Sequence, residues 1–216
     1  MCNNCWRRYV LQYIKSNMYV LVCENSAIVI DPHISTACRQ YLQDNGVDNI
    51  VIILTHEHFD HTSGVNYYRN IVPKVYVIAH KFCAEKISIA RNNRPLALLK
   101  LIDGTNRTEV ISAYNSYDIS PIIVDKIIYD KYALCWKGHD VDMLYVPGHS
   151  KGSILVVVDN KYLFSGDYLI PKVPVILRYP GGSEDEYQNK TLPILRNLSN
   201  GLIVMPGHGE SYVLGG

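Results

Sequence analysis

Short runs of β-branched and aromatic residues recur along the chain and predict a sheet-rich fold. Most runs are about four to six residues long and end at Gly, Pro, Asp or Asn, which favours strands over helices. The predicted strands are residues 19–23, 27–30, 50–54, 75–78, 143–146, 154–158, 162–164 and 202–205. Helices are predicted at residues 35–43, 64–70, 81–102 with a break near Pro95, and 185–198 with an interruption or restart at Pro193. This mixture indicates a layered α/β or α+β domain.

The composition is that of an ordinary globular protein. The 216 residues are 48% hydrophobic and 19% charged. No linker-like stretch divides them, so we expect a single domain over residues 1–216. Lys and Arg (21) nearly balance Asp and Glu (20), for a net charge of +1. Because this balance gives no broad attraction for a polyanion, nucleic acid is not an expected partner.

Targeting signals and local composition add three expectations. We find neither the apolar core of a signal peptide nor eighteen consecutive apolar residues, so we expect a cytoplasmic location and no membrane association. Cys2 and Cys5 have the spacing of half a zinc knuckle or of a redox pair, but a second pair is not evident. The basic segment 81–107 is interpreted as a solvated helix face, with a patch for an anionic substrate as the alternative.

The segment VIILTHEHFDHTSG carries the strongest chemical signal. An apolar strand runs directly into His56, His58, Asp60 and His61. In extended backbone the side chains alternate, so the first three can point to one side, and a turn into a helix near His61 can bring its imidazole to join them. Imidazole and carboxylate are ligands that zinc accepts, and four of them exceed what one structural ion needs from one loop.

Three further candidate ligands follow later strands, each beside a glycine. They are His149 in VPGHSKGS, Asp167 in FSGDYL and His208 in MPGHGE. Glycine lets the backbone turn sharply and approach a ligand or metal closely. Each residue alone is a weak signal, but the recurrence of strand, glycine and candidate ligand favours a ligand role over that of an ordinary turn residue. His33, His80 and His139 are predicted to be structural or surface residues, because histidine commonly occupies partly buried polar sites, and His33 lies nearest the predicted metal edge.

In the order of these motifs, from AIVID at residues 27–31 to MPGHGE, the chain resembles the metallo-β-lactamase superfamily, and within it the glyoxalase II-like hydrolases. The resemblance implies an α+β fold, a four-layer αββα sandwich with two metal ions at one edge between the sheets. It also implies that His56, His58 and His149 hold the first metal and that Asp60, His61 and His208 hold the second. Asp167 would bridge them, and Asp31 would support a ligand loop without binding metal.

The resemblance further implies a hydrolase that uses a metal-bridging hydroxide on a small thioester, lactone or related ester. Two zinc ions are expected, with iron or manganese as alternatives. Asp60 would orient the hydroxide or accept its proton, and Arg178 and Tyr168 are candidate contacts for a substrate carboxylate or phosphate. The alternatives are a persulfide dioxygenase-like mononuclear iron oxidoreductase, an RNase Z-like phosphodiesterase and a non-catalytic binding protein. The expected partner is a small-molecule substrate, and the oligomeric state is left open.

Overall fold

Two six-stranded sheets form the centre of the computed structural model, which describes residues 5–100 and 106–216. The first sheet contains, in spatial order, β1 (Arg7–Val10), β2 (Asn17–Cys23), β3 (Ser26–Ile30), β4 (Asn49–Ile53), β5 (Lys74–His80) and β6 (Lys126–Ile128). The second contains, from its other edge, β7 (Lys131–Trp136), β8 (His139–Tyr145), β9 (Ile154–Val158), β10 (Tyr162–Gly166), β11 (Ile203–Pro206) and β12 (Tyr212–Val213).

Parallel strand pairs place the predicted site residues at common sheet edges. Strands β3 and β4 are parallel, with Ile30 opposite Ile53, so the residues after both strands leave the same edge. Strands β10 and β11 are also parallel, with Phe164 opposite Met205. Since carboxyl ends of parallel strands meet at one edge, Asp31 comes beside the loop after β4, and Asp167 comes beside His208.

The helices occupy segments of the chain that connect the strands. They are α1 (Thr36–Asp44), α2 (Phe59–Thr62), α3 (Val65–Ile71), α4 (Lys81–Ile87), a 3₁₀ helix (Ala90–Asn93), α5 (Leu96–Leu99), α6 (Arg107–Ser116), α7 (Glu184–Glu186), a π-helix (Tyr187–Thr191) and α8 (Leu192–Arg196). Ser35 begins α1 because its hydroxyl accepts the Cys38 N–H. No described helix has both the length and the apolarity needed to cross a membrane.

Three apolar clusters divide the molecule into layers. One packs the outer face of the first sheet against the helices around Leu42, Tyr68 and Cys83. The central cluster joins the inner faces of both sheets, for example Ile53 with Val156 and Phe164. A third covers the outer face of the second sheet with the helices near Ile194. The α+β, four-layer αββα sandwich predicted from the resemblance is confirmed.

All eight predicted strands are present, but several elements were not predicted. These are β1, β6, β7, β12 and α6. The predicted 81–102 helix is divided into α4, the 3₁₀ helix and α5, and residues 101 and 102 lie outside the described residues. The predicted 185–198 helix contains a π-helical turn before Pro193. Cys2 also lies outside the described residues, whereas Cys5 is exposed.

Candidate metal centre

The loop after β4 carries four of the candidate ligands. The extended backbone of His58 precedes α2, and this short helix turns Asp60 and His61 back towards His56. His56 and His61 are buried, and their rings lie 4.2 Å apart between centroids. The loop is extended as far as His58 and then forms one helical turn. This change of backbone conformation brings its four polar side chains close together.

The first group of ligand atoms surrounds His58. Its Nδ1 lies 3.1 Å from His56 Nε2 and 3.0 Å from His149 Nε2. Asp167 Oδ2 completes the group, 3.4 Å from His149 Nε2 and 4.0 Å from His56 Nε2. Tetrahedral coordination at about 2.0–2.1 Å separates neighbouring ligand atoms by about 3.4 Å. These separations match that geometry.

The second group contains Asp60, His61 and His208. Asp60 Oδ2 lies 3.3 Å from both His61 Nε2 and His208 Nε2. The other oxygen of Asp167, Oδ1, lies 3.3 Å from His61 Nε2 and 3.5 Å from His208 Nε2. The structure thus brings the seven candidate ligands together, and Asp167 directs one carboxylate oxygen to each group.

Two atoms of the centre show that the residues fit a metal cation. His61 Nε2 and Asp167 Oδ1 are buried and make no hydrogen bond within the part of the chain that the structure describes. A buried polar atom without a partner costs about 1–3 kcal/mol, so such atoms are rare unless another group binds them. Imidazole nitrogens and carboxylate oxygens at these separations are the donor set of divalent zinc, iron or manganese. The residues therefore fit divalent metal ions.

Asp31 organises the ligand loop from outside the two groups. Its Oδ1 accepts the Thr55 N–H at 2.7 Å, and its Oδ2 accepts the Thr55 hydroxyl at 2.5 Å. The same Oδ2 lies 2.9 Å from His61 Nδ1, which fixes the proton on Nδ1 and leaves Nε2 free for a metal. His56 Nδ1 lies 3.0 Å from the Thr55 hydroxyl, so a chain of hydrogen bonds through Thr55 orients His56 as well.

Electrostatics set the protonation state of these ligands. Burial lowers the pKa of His56 well below its usual range and lowers the pKa of His58 to about 4, so both are neutral, as metal binding requires. Burial also acts to lower the pKa of His61, but the adjacent carboxylates of Asp60, Asp167 and Asp31 outweigh it and hold this pKa well above normal. The negative charge around His61 is therefore balanced by a proton when no metal is bound.

The carboxylates of Asp60 and Asp167 are ionised. Burial acts to raise the pKa of Asp60 and Asp167, but the neighbouring histidines, His61 first among them, outweigh it and hold both values below their usual range. An ionised carboxylate is the form that binds metal.

His149 is held on two sides. Its Nδ1 lies 2.8 Å from the Ile176 carbonyl oxygen, which directs Nε2 into the first group. Its backbone N–H donates to the Tyr168 hydroxyl at 2.8 Å, and this hydroxyl donates to the Val146 carbonyl at 2.8 Å. Tyr168 is 1% exposed. The structure therefore corrects the predicted substrate contact of Tyr168, because its hydroxyl is engaged by backbone groups and supports the His149 loop.

His208 is held by the hairpin between β1 and β2. The Asn17 backbone N–H donates to the Gly207 carbonyl at 2.7 Å, and the Asn17 side-chain amide donates to the Pro206 and Gly209 carbonyls at 2.9 and 2.8 Å. A Cβ atom on Gly207 would overlap Asp167 Oδ1, so only glycine permits this close approach. Glycine beside His208 therefore allows the backbone to approach a neighbouring candidate ligand closely, as predicted from the sequence.

Aromatic and basic residues lie beside the first ligand group. We call these residues, Lys100, Arg178 and Tyr179, the mouth of the centre. The Tyr179 ring lies 5.8 Å from the His58 ring and 6.5 Å from the His149 ring. Lys100 Nζ lies 5.3 Å from the centroid of the Tyr179 ring. Arg178 precedes Tyr179 and is exposed, and its role as a substrate contact stays a prediction.

Several supporting residues were missed by sequence reasoning. Thr55, Asn17 and Glu57 are buried polar residues, and each makes hydrogen bonds to a ligand loop or to its support. Only Thr55 and Glu57 carried a possible signal, because they flank His56 directly. His33 remains structural, since its ring nitrogens face the backbone carbonyls of Ile34 and Tyr9 at 3.2 Å each.

Comparisons with known proteins agree with this geometry. The chain is 26% identical over 218 residues to “Probable metallo-hydrolase YqgX” of Bacillus subtilis (strain 168), covering 97% of this chain and 92% of that protein. It is 26% identical over 188 residues to the hydroxyacylglutathione hydrolase of Buchnera aphidicola subsp. Acyrthosiphon pisum (strain APS), covering 86% of this chain but 57% of that protein. The chain thus spans little more than half the length of that relative.

Solved structures share the fold. The crystal structure of TTHA1623 in a di-iron-bound form superposes with a TM-score of 0.74, at 22% identity, over 97% of this chain and 95% of that one. The family model described as “Metallo-beta-lactamase superfamily” matches residues 14–208, which include all seven candidate ligands. The chain therefore belongs to the metallo-β-lactamase superfamily, and this family together with the names of its relatives indicates a metal-dependent hydrolase.

Proposed function

We propose that this chain is a binuclear metal-dependent hydrolase that acts on a small thioester, lactone or related ester. One observation carries the proposal: Asp167 directs Oδ2 towards the first ligand group and Oδ1 towards the second. A carboxylate placed in this way can hold two ions at once. In a mononuclear site one of these oxygens, together with the second group of ligands, would have no metal to bind.

The proposed ligand assignment follows the two groups. His56, His58 and His149 would hold the first ion, Asp60, His61 and His208 would hold the second, and Asp167 would contribute one oxygen to each. Two zinc ions suit the histidine-rich donor set, and iron or manganese are the alternatives. Asp31 binds no metal and fixes the orientation of His61 through the Nδ1 contact.

The chemistry of hydrolysis is divided between the ions and the protein. When bound, two divalent ions activate water as a nucleophile and polarise the scissile carbonyl. The Asp60 carboxylate lies 3.3 Å from both His61 Nε2 and His208 Nε2, so it would stand beside the attacking water, where it could orient that water or accept its proton. Four of the seven candidate ligands, His56, Asp60, His61 and His149, are buried, and Tyr179 lies beside His58, which limits contact of the centre with bulk water.

The proposed substrate class rests on the mouth of the centre and on the relatives. Tyr179 gives an apolar face beside His58 and His149, and Arg178 gives an accessible guanidinium that can pair with a carboxylate or phosphate of the substrate. The name hydroxyacylglutathione hydrolase describes a relative that hydrolyses a thioester. A thioester of an anionic thiol is therefore the first substrate class to test.

The test combines metal analysis with an activity screen. The metal-loaded protein is assayed against a glutathione thioester, an acyl-coenzyme A, a lactone, a β-lactam and a phosphodiester, and bound metals are counted by mass spectrometry. We expect two ions per chain and turnover of a thioester or lactone. The variant Asp167→Asn should lose more than about 100-fold in activity and bind fewer ions, since loss of outer partners alone costs about 10–100-fold.

A matched control is Asp159→Asn, which removes the charge of a carboxylate that also faces a histidine, His139, at 2.6 Å outside the metal centre. This control should keep its activity and both metals. One iron per chain with oxygen consumption would instead indicate the iron oxidoreductase, and turnover of the phosphodiester alone would indicate the phosphodiesterase. Two bound metals without turnover of any substrate would contradict the thioester and lactone assignment.

A further inference from the structure

Glu57 lies in the sequence between two candidate ligands of the first group, His56 and His58, but its carboxylate makes its hydrogen bonds to residues that are not candidate ligands. The side chain is buried, with the residue 6% exposed. Its Oε2 accepts the Ser150 hydroxyl at 2.8 Å and the Gly152 backbone N–H at 3.0 Å. A buried carboxylate between His56 and His58 thus makes its hydrogen bonds to a loop that is 93–95 residues away in the sequence.

That partner loop carries the third ligand of the first ion. Ser150 directly follows His149, and its hydroxyl lies 2.9 Å from the Ser153 hydroxyl within the same loop. The two hydrogen bonds of Glu57 therefore join the His56–His58 segment to the His149 segment. Each of the two connected segments carries a candidate ligand atom of the first group. These atoms are His58 Nδ1 and His149 Nε2, which lie 3.0 Å apart.

The approach of the two loops is tight enough to require glycine. A Cβ atom at Gly152 would lie 2.5 Å from Glu57 Oε2 and 2.5 Å from the Cys83 backbone nitrogen. Real Cβ atoms do not come this close to backbone, so another residue at position 152 would push the loop away from Glu57. The contact is therefore built into the packing and is not a chance surface interaction.

The second ligand group has different supports. Asp31 orients His61, and Asn17 holds the loop that carries His208. Neither contact involves Glu57. A change at Glu57 should consequently act on the first ion and leave the second nearly unaffected.

We propose that Glu57 is a positioning residue that sets the metal affinity of the first subsite, by locking the His56–His58 segment to the His149 loop through Ser150 and Gly152. This inference rests on the metal assignment proposed above. Glu57 belongs to none of the candidate ligand groups, so its effect would pass through the separation of the first three ligands.

The experiment measures stepwise zinc dissociation constants by competition with a chromophoric chelator. The variants are Glu57→Ala, Glu57→Gln and Ser150→Ala, with Glu85→Gln as the matched control, because Glu85 is an exposed carboxylate paired with Lys81 on α4. We expect Glu57→Ala to weaken the first subsite by about 10–100-fold, as loss of outer partners does elsewhere. Glu57→Gln should lose less, because an amide oxygen in the place of Oε2 can still accept both hydrogen bonds, although without the negative charge.

Two backgrounds separate the subsites. His208→Ala leaves the first subsite with its three histidines, and His149→Ala disables it. The effect of Glu57→Ala should persist in the first background and disappear in the second. In the cobalt(II)-loaded protein, Glu57→Ala should change the absorption spectrum in the His208→Ala background, where the first subsite is intact, and not in the His149→Ala background. If Glu57→Ala fails to fold, Glu57→Gln and Ser150→Ala carry the same comparison.

Several results would overturn the inference. Equal weakening of both subsites would indicate a general structural role, and unchanged affinity in all three variants would remove the role altogether. The proposed function fails separately, if the wild-type chain binds fewer than two ions. A wild-type chain with two ions and Glu57 variants with unchanged constants would contradict this inference alone.

Discussion

Replacement of Asp31 by Asn tests whether the second subsite depends on an oriented imidazole. Asp31 accepts three hydrogen bonds, two from Thr55 and one from His61 Nδ1. Asn keeps one carbonyl oxygen, which can still accept the Thr55 backbone N–H. Its amide NH₂ group would then face the Thr55 hydroxyl and His61 Nδ1. Both of these groups donate a hydrogen bond to Asp31 in the wild type, so in the variant two donors would face each other at each contact.

The structure gives a magnitude for this change. A hydrogen bond to a charged group contributes about 1.5–3 kcal/mol, so loss of two gives an upper range of about 3–6 kcal/mol. Because the amide can form weaker neutral hydrogen bonds instead, we expect a loss of about 3 kcal/mol in the free energy of unfolding. An amide that donates to Nδ1 also forces the His61 proton onto Nε2, the atom that faces the metal. We therefore expect the second ion to bind about 10–100-fold more weakly, or about 1.4–2.7 kcal/mol.

The assay has two parts, urea unfolding of the metal-free protein and chelator competition for both ions. Asp125→Asn is the matched control, because Asp125 also accepts a backbone N–H, that of Val77 at 2.7 Å, and pairs with Arg69, but lies outside the metal centre. This control should lose stability without a change in either metal constant. If Asp31→Asn binds the second ion as tightly as the wild type, the argument from the imidazole orientation is refuted.

Three other predictions follow from hydrogen bonds and charges in the centre. Tyr168→Phe leaves a buried backbone N–H without its partner, so the free energy of unfolding should fall by about 1–3 kcal/mol, and an unchanged urea midpoint would contradict this. Asn17→Ala removes two hydrogen bonds to the C-terminal ligand loop, so chelator competition should show weaker binding of the second ion only. The raised pKa of His61 keeps it protonated at pH 7, whereas the lowered pKa of His58 keeps it neutral. Binding of the second ion should therefore release about one more proton than binding of the first, as measured by calorimetry in buffers of different ionisation enthalpy; equal release would refute the charge argument.

The buried strands could be predicted from sequence because burial on both faces leaves a continuous apolar run. Strand β3 is buried along its full length, and β4 nearly so. The edge strands gave no such signal: β1 reads RRYV and β7 reads KYALCW, with exposed positions in both. Helix α6 was missed because its sequence lacks an apolar stripe, and Val110 is its one buried residue.

The candidate ligands could be identified because each follows an apolar strand, and a strand end is a local feature of the sequence. The residues that support these ligands could not be identified in this way, because their role depends on contacts between segments that are distant in the sequence. Glu57 meets Ser150 across 93 residues, and Asn17 meets Pro206 across 189 residues. The same limit explains the prediction for Tyr168, whose position beside Asp167 suggested the mouth of the site, whereas its hydroxyl meets Val146 across 22 residues.

The distribution of ligands over the two sheets explains why these supports matter. His56, His58, Asp60 and His61 follow β4 of the first sheet, whereas His149, Asp167 and His208 follow strands of the second. Each proposed ion therefore takes ligands from both sheets and would tie their edges together. Since a ligand that binds only the folded state stabilises it by about 4 kcal/mol at a thousand times its dissociation constant, metal binding and closure of the sandwich edge are coupled. Without metal, the hydrogen bonds of Glu57 and Asn17 still connect the two sheets at this edge, and those of Asp31 hold the ligand loop of the first sheet, so these residues preserve the geometry that the ions would use.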